Sequence, residues 1–240
     1  MSDANDPGRR RFLQYAGLAA GAAATLGLST VTRAAENAQA GHATGHASDK
    51  PLNRGWMFFT DSLEFATLAD AAERIFPKDE TGPGAKELAV PYFIDNQLAG
   101  AYGCNAREYV DGPFFPGAPT QGAQTPMLRH EQFRQGLQGL NAAARERFDK
   151  DFPQLDGTQQ DGILSDCEAG KLPGFATAQF FSVLRGAVLA GVYADPLYNG
   201  NDDMDGWRLK DYPGAQMAYA YLMTSDTFEK IDPVSLSSMQ

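Results

Sequence analysis

The amino-acid sequence predicts a mainly α-helical fold, a single helical domain over residues 56–240 with long irregular loops rich in proline, glycine and aromatic residues. Apolar side chains recur at helical spacing in several stretches, and few strand signals appear. The apolar fraction of 43% and the charged fraction of 21% indicate a globular core rather than disorder. The formal net charge of −10 argues against binding to nucleic acid, and against binding to anionic lipid by charge alone.

Two helices are predicted in the first part of this domain. The first begins after Asp61, which can cap it together with Glu64 as a capping box, and it stops at Pro77. The second opens at Pro91, because proline is favourable at the first helical position. The side chains expected to face the core are Phe65, Leu68, Ala69, Ala72, Ile75 and Phe76 in the first helix, and Ile94 and Leu98 in the second.

Three further helices are predicted after a long irregular insertion at residues 103–126. The third begins near Thr125-Pro126 and runs to about Phe148, the fourth begins at Thr158, and the fifth covers residues 177–190. Their expected core side chains are Phe133, Leu137, Leu140 and Ala144, then Ile163, Leu164 and Cys167, then Phe180, Phe181, Leu184 and Val188.

The insertion contains the run from Gly112 to Pro119, with three prolines and the neighbouring Phe114 and Phe115. Such a run forms neither a regular strand nor a helix, because proline lacks the backbone donor that both require. The two phenylalanine rings therefore either pack back on the domain or dock on another protein.

The fifth helix leads into a stretch that we call the aromatic loop, residues 191–214. Pro196 and Pro213 fix the backbone and remove donors, so the loop is neither a continuous helix nor a strand. Four aromatic side chains are interleaved with these breakers: Tyr193, Tyr198, Trp207 and Tyr212. Long ordered loops often carry function, so a partner surface is one interpretation and a self-packed loop that caps its own core is the other.

The N-terminal segment, residues 1–34, has the pattern of an export signal rather than of a folded element. Arg9 and Arg10 are followed by a spacer and then by Phe12 and Leu13, which resembles the twin-arginine export motif of bacteria. The apolar stretch that follows is short and rich in Ala and Gly, and small residues at Thr32-Arg33-Ala34 suit cleavage. The alternative is an uncleaved anchor. Residues 35–55 are predicted to be a flexible linker.

The chain contains no recognisable cofactor motif of its own. It has no Gly-x-Gly-x-x-Gly run for flavin or nicotinamide, no Cys-x-x-Cys-His for haem attachment and no cysteine cluster for iron–sulfur. Twin-arginine export transports folded proteins that have received their cofactor beforehand. An export signal of this kind on a chain without a cofactor motif indicates that the cofactor belongs to a partner exported with it.

Several separated pieces of the chain resemble, in order, the small subunit (subunit 3, or gamma) of gluconate 2-dehydrogenase-type complexes. The resemblance covers roughly residues 60–220. The pieces are Arg74-Ile75-Phe76-Pro77, Pro91-Tyr92-Phe93-Ile94-Asp95, Phe180-Phe181 and the aromatic loop.

The resemblance implies a complex of three chains in the periplasm, associated with the cytoplasmic membrane. A large flavoprotein would hold FAD and oxidise a sugar or sugar acid such as gluconate. A multihaem cytochrome c would pass electrons to quinone. This chain would carry the export signal for the flavoprotein, through the twin-arginine translocase, and stabilise it. The alternatives are a free-standing periplasmic binding or assembly factor, and a small periplasmic enzyme of unrecognised type.

In such a complex the aromatic side chains of the insertion and the loop are the expected contacts with a partner. We predict that Trp207 packs at or next to the flavoprotein contact, because Tyr and Trp are frequent interface anchors. The predicted interface residues are Phe114, Phe115, Tyr193, Tyr198, Trp207 and Tyr212.

The two cysteines of the chain, Cys104 and Cys167, are predicted to form a disulfide, because an even count in an exported protein favours pairing. This bond would tie the insertion to the fourth helix. The alternative is two free thiols, since pairing requires a close Cβ geometry that sequence does not fix.

Neither a metal site nor a catalytic centre is predicted on this chain. The run Asn201-x-Asp203-x-Asp205-Gly206 matches the first half of a calcium loop, but Tyr212 stands where the bidentate glutamate belongs. Local Asx-type turns are the preferred interpretation, and calcium binding is the alternative. His130 lies at a polar helix start and is expected to be solvated, and no nucleophile elbow or zinc helix is present.

Overall fold

A computed structural model of the chain describes residues 54–108, 112–115, 117–118, 121, 125–174, 177–220, 222–223, 227 and 229–239. The chain divides into two units, Met1–Arg54 and Gly55–Gln240, and the fold below is that of the second unit. The predicted export signal at Arg9, Arg10, Phe12 and Leu13 lies outside the described residues, as does the linker up to residue 53.

The described part of Gly55–Gln240 is built from helices, with no strand and only two isolated backbone bridges. This confirms the mainly α fold. None of these helices is long and apolar enough to cross a bilayer. The helices are α1 (Ser62–Ile75), α2 (Val90–Ala99), α3 (Arg129–Phe148), α4 (Gly157–Glu168), α5 (Thr177–Val192) and the short α6 (Asp205–Arg208).

Helix α5 lies at the centre of the domain and contacts α1, α2, α3 and α4. Its Phe180 ring meets Phe133 of α3 edge to face, with the ring centroids 5.8 Å apart. The two helices approach closely at Gly136, where an added Cβ would lie 2.3 Å from the Phe180 ring. Of the predicted core side chains, Phe65 and Ala69 are half-buried and all the others are buried.

The start of α1 is capped as predicted, but the partner of Glu64 differs. The Leu63 N–H donates to Asp61 Oδ1 at 2.9 Å, which satisfies one of the free donors at the helix start. Glu64 Oε1 instead accepts a hydrogen bond from Gln138 of α3 at 3.1 Å. A side chain of the neighbouring helix has therefore replaced the predicted capping box.

The third helix begins three residues later than Pro126, at Arg129. Its first donors are satisfied by the preceding insertion: the Arg129 N–H donates to Asn105 Oδ1 at 3.0 Å, and the His130 N–H donates to the Gly103 carbonyl at 3.1 Å. The helix thus begins three residues after the predicted position near Thr125-Pro126, because these hydrogen bonds come from residues about 25 positions away, which local patterns do not reveal.

The predicted disulfide between Cys104 and Cys167 is not formed, and both cysteines are free thiols. Cys104 is exposed in the insertion, and its Sγ lies 3.7 Å from the Ala101 carbonyl in the same turn. Cys167 is buried, with its Sγ 3.4 Å from the Thr177 carbonyl at the start of α5. The two thiols thus occupy different environments, one exposed and one in the core.

Candidate partner interface

Trp207 is buried inside the aromatic loop, with 5% of its surface exposed. Its indole Nε1–H donates to the Tyr193 carbonyl at 2.8 Å, and its ring meets Tyr212 edge to face at 5.4 Å. This burial favours the alternative that Trp207 belongs to the core of the domain, and its place at or next to a flavoprotein contact stays a prediction. The ring fills the interior of the loop, and its one polar atom is satisfied there.

Asn201, the first residue of the calcium-like run, has a structural role in the same loop. Its side chain is completely buried. Its Oδ1 accepts the Gly206 N–H at 2.7 Å and its Nδ2 donates to the Ala194 carbonyl at 2.8 Å. Asp205 pairs with Arg208 at 2.9 Å. Among the residues that the structure describes, no group of three or more acidic, His or Cys side chains is placed to hold a metal ion.

The end of the loop pairs with the C-terminal tail, which we define as residues 229–239. The Ala215 N–H donates to the Val234 carbonyl at 2.8 Å, and the Val234 N–H donates to the Pro213 carbonyl at 3.2 Å. Gly214 sits between them with a φ of +72°, and an added Cβ would lie 2.3 Å from the Val234 carbonyl oxygen. Glycine is required here both for the backbone angle and for the close approach of the tail.

Asp195 joins the beginning of the loop to the same tail. Its Oδ1 accepts the Leu197 N–H at 2.9 Å and the Ser235 hydroxyl at 2.7 Å, and its Oδ2 accepts the Leu236 N–H at 2.9 Å. Burial alone would raise the pKa of Asp195, but these hydrogen bonds outweigh it and hold the pKa below its usual value. Asp195 is thus a charged anchor for residues 40 positions away.

The anchored turns leave apolar side chains on the surface. The turn Pro196–Tyr198 contacts the turn Leu236–Met239, and three of their side chains are exposed: Leu197 at 42%, Tyr198 at 50% and Leu236 at 40%. We call these three residues the loop–tail patch. The tail contributes one of its members, although sequence patterns gave no reason to connect the tail with the loop.

The other predicted interface residues are spread over different environments. Tyr212 is 50% exposed and Phe115 is 68% exposed, so both present apolar surface to solvent. Tyr193 and Phe114 are half-buried. The structure brings Tyr193, Trp207 and Tyr212 together, whereas neither phenylalanine of the insertion makes a ring contact with the loop among the described residues.

Asp95 of α2 is a structural anchor that sequence reasoning missed. It is completely buried and accepts three backbone N–H groups, from Met57 at 2.6 Å, Phe58 at 3.0 Å and Phe59 at 2.9 Å. These bonds fix the first described segment of the domain against α2. The signal available in the sequence was a carboxylate directly after Ile94 on an otherwise apolar helix face, because a buried charge requires such partners.

His130 is half-buried at the start of α3 rather than fully solvated. Its ring lies 5.9 Å from the Phe58 ring. The expectation that this chain holds no cofactor of its own stays a prediction from the sequence.

The fold and the loop together define a class: an all-α domain that ends in an ordered aromatic loop closed by its own C-terminal tail. The chain matches the family model described as Gluconate 2-dehydrogenase subunit 3 over residues 62–214, which is more than half of its length. The chain therefore belongs to this family, as its sequence predicted. Comparison with curated proteins and with solved structures found no match.

Proposed function

We propose that the chain is the non-catalytic small subunit of a periplasmic, membrane-associated, FAD-dependent dehydrogenase complex of the gluconate 2-dehydrogenase type. It carries the export signal for the flavoprotein large subunit and stabilises that subunit. The match to the subunit 3 family over residues 62–214 is the observation that carries the proposal, since the family's description names its members as subunits of a gluconate 2-dehydrogenase.

The N-terminal sequence supports the export role. Arg9 and Arg10, followed by Phe12 and Leu13, have the pattern of a twin-arginine signal, and the chain has no motif for a cofactor that would need such a route. In this proposal FAD is bound by the large subunit and haem c by a multihaem cytochrome subunit. The membrane contact is made through these partners.

The aromatic loop supports the stabilising role. Its conformation is set within the chain by the bonds of Trp207, Asn201 and Asp195. A surface that is ordered before association loses little conformational entropy when a partner binds, which favours a permanent contact.

Purification of the tagged chain from its native host tests the proposal. We expect an FAD protein with dehydrogenase activity, absorbing near 450 nm, to co-purify with the chain from the membrane fraction. After dissociation, the isolated chain should be colourless. Deletion of this chain should lower the amount of the large subunit. A flavin or haem spectrum retained by the isolated chain, or an unchanged amount of large subunit after the deletion, would contradict the proposal.

A further inference from the structure

The loop–tail patch is an exposed apolar surface whose shape is set by hydrogen bonds within the chain itself. Leu197 and Leu236 donate their backbone N–H groups to the same Asp195 carboxylate, so the two turns are held in a fixed relation. Tyr198 lies in the first turn, and its N–H donates to the Asp195 carbonyl at 2.9 Å. Apolar side chains on an ordered scaffold are the arrangement expected of interface anchors.

The tail that completes this patch lies beyond the residues matched by the family model, which end at 214. The end of the aromatic loop nevertheless contacts the tail, because Gly214 and Val234 form a parallel backbone bridge. The tail is therefore part of the loop's architecture, because it supplies Leu236 to the patch and two further hydrogen-bond donors to Asp195.

The charge beside the patch indicates the chemistry of its partner. The aromatic loop holds five aspartates against two cationic side chains, Arg208 and Lys210. Asp205 is neutralised by Arg208 and Asp211 by Lys230, whereas Asp203 is exposed and its carboxylate has no partner among the described residues. The turn that carries Asp203 contacts the Pro196–Tyr198 turn, so an exposed carboxylate lies on the turn next to the patch, which we call its acidic edge.

We infer that the loop–tail patch is the surface on which the FAD-containing large subunit docks, through an apolar recess edged by Lys or Arg. The inference rests on the proposed function, because that function supplies a flavoprotein as the partner. The large subunit is a better candidate for this surface than the cytochrome. In the proposed function the large subunit is exported together with this chain, and the two must therefore be in contact before translocation. A surface already ordered by Asp195 and by Trp207 satisfies that requirement.

The test measures binding of the purified large subunit, recognised by its FAD absorbance and freed of the small chain, to variants of this chain. Tyr198→Ser and Leu236→Ser should each weaken binding by about tenfold or more, as anchor residues do. Met57→Ser removes a side chain that is 70% exposed outside the patch, and it should change the affinity less than about twofold, as near-neutral positions do.

The acidic edge is tested by charge reversal. Asp203→Lys should weaken binding at low salt and reduce its dependence on ionic strength, because a complementary charge pair is lost. Glu146→Lys makes the same charge change at an exposed position of α3 and serves as the matched control. Equal effects of the two substitutions would show a response to net charge alone and would contradict the basic recess.

The possible outcomes separate this inference from the proposed function. If no FAD protein binds the wild-type chain, the proposed function fails and the inference fails with it. If the large subunit binds and both patch variants bind as tightly as wild type, only the inference is overturned. If the chain forms a dimer that Tyr198→Ser abolishes while flavoprotein binding is unchanged, the patch serves a second copy and the inference is also overturned. Should Tyr198→Ser fail to fold, Leu236→Ser in the tail decides alone.

Discussion

At the scale of single residues, Trp207 shows how a polar atom determines the position of a large ring. The indole N–H reaches the Tyr193 carbonyl, 14 residues upstream, and the ring is thereby turned into the domain. The sequence could predict that this loop is ordered, because its prolines and aromatic residues are local features. It could not predict which ring would be buried, because that depends on how distant parts of the loop meet.

Substitution of Trp207 tests this assignment to the core. Trp207→Ala should lower the free energy of unfolding of the isolated chain by about 3–5 kcal/mol, because it removes a buried ring and leaves a cavity. Tyr198→Ala is the matched control from the same loop, and with its side chain 50% exposed it should cost about 1 kcal/mol or less. Urea denaturation of both variants measures the difference, and a loss for Trp207→Ala no greater than for the control would contradict the assignment.

Asp95 gives a second prediction at this scale. In Asp95→Asn an amide –NH₂ replaces one of the two carboxylate oxygens that accept the N–H groups of residues 57–59. The –NH₂ then faces a backbone N–H, and neither group can accept a hydrogen bond from the other. We expect the free energy of unfolding to fall by about 1–3 kcal/mol, the cost of an unsatisfied buried polar group. Asp232→Asn makes the same change at an exposed position and should stay within about 0.5 kcal/mol of wild type. Equal stability of the two variants, measured by urea denaturation, would contradict the anchor role.

At the scale of elements, helices α1 to α5 could be predicted from the sequence because their signals are local. Apolar spacing, Pro77 and Pro91 identify α1 and α2 without knowledge of their neighbours. The start of α3 could not be placed in the same way, because the Arg129 N–H at that start is satisfied by Asn105 in the insertion. The close packing of α3 on α5 at Gly136 was also hidden, since glycine in a helix normally predicts weakness rather than contact.

Two glycine substitutions measure that helix contact. Gly136→Ala should lower the free energy of unfolding by about 1–3 kcal/mol, because its Cβ would meet the buried Phe180 ring and overpack the core. Gly162→Ala in α4 is the control, since an added Cβ there meets no atom within 4 Å. That change should raise stability by about 0.5–1 kcal/mol through helix propensity alone. Thermal or urea denaturation measures both variants. If both substitutions change the free energy of unfolding in the same direction, the close approach of Gly136 to the Phe180 ring is contradicted.

The cysteines provide a further test of how the elements are joined. Burial, with a smaller effect of Glu168, raises the pKa of Cys167 to about 12, so its thiol stays protonated and shielded at neutral pH. Cys104 is exposed. A thiol reagent applied to the native, non-reduced protein at pH 8 should therefore modify Cys104 alone, and both cysteines should react after unfolding. The variant Cys104→Ser should show no reaction with the reagent in the native state. If the unfolded wild-type chain has no reactive thiol, the two cysteines are joined in a disulfide and the assignment of free thiols is contradicted.

At the scale of the whole molecule, the helical domain accounts for one part of the chain, and the proposed export role belongs to the N-terminal segment that contains Arg9 and Arg10. The family and the helical class could be predicted because their motifs stand in order along the chain. The role of the tail could not, because nothing near Ser235 in the sequence indicates that it bonds to Asp195, 40 residues away. The loop–tail patch therefore exists only in the folded chain.

The proposed export role is tested by following the location of the large subunit rather than that of this chain. Arg9→Lys with Arg10→Lys keeps the charge of the signal but removes the arginine pair, while Arg11→Lys leaves the pair intact as the control. The assay measures the amount of the FAD-containing large subunit in the cytoplasmic and periplasmic fractions, by immunoblot and by flavin absorbance. It applies to a large subunit that has no export signal of its own. We expect the double variant to leave the flavoprotein in the cytoplasm and Arg11→Lys to export it as wild type does. A flavoprotein that still reaches the periplasm with the double variant would contradict the claim that this chain carries it there.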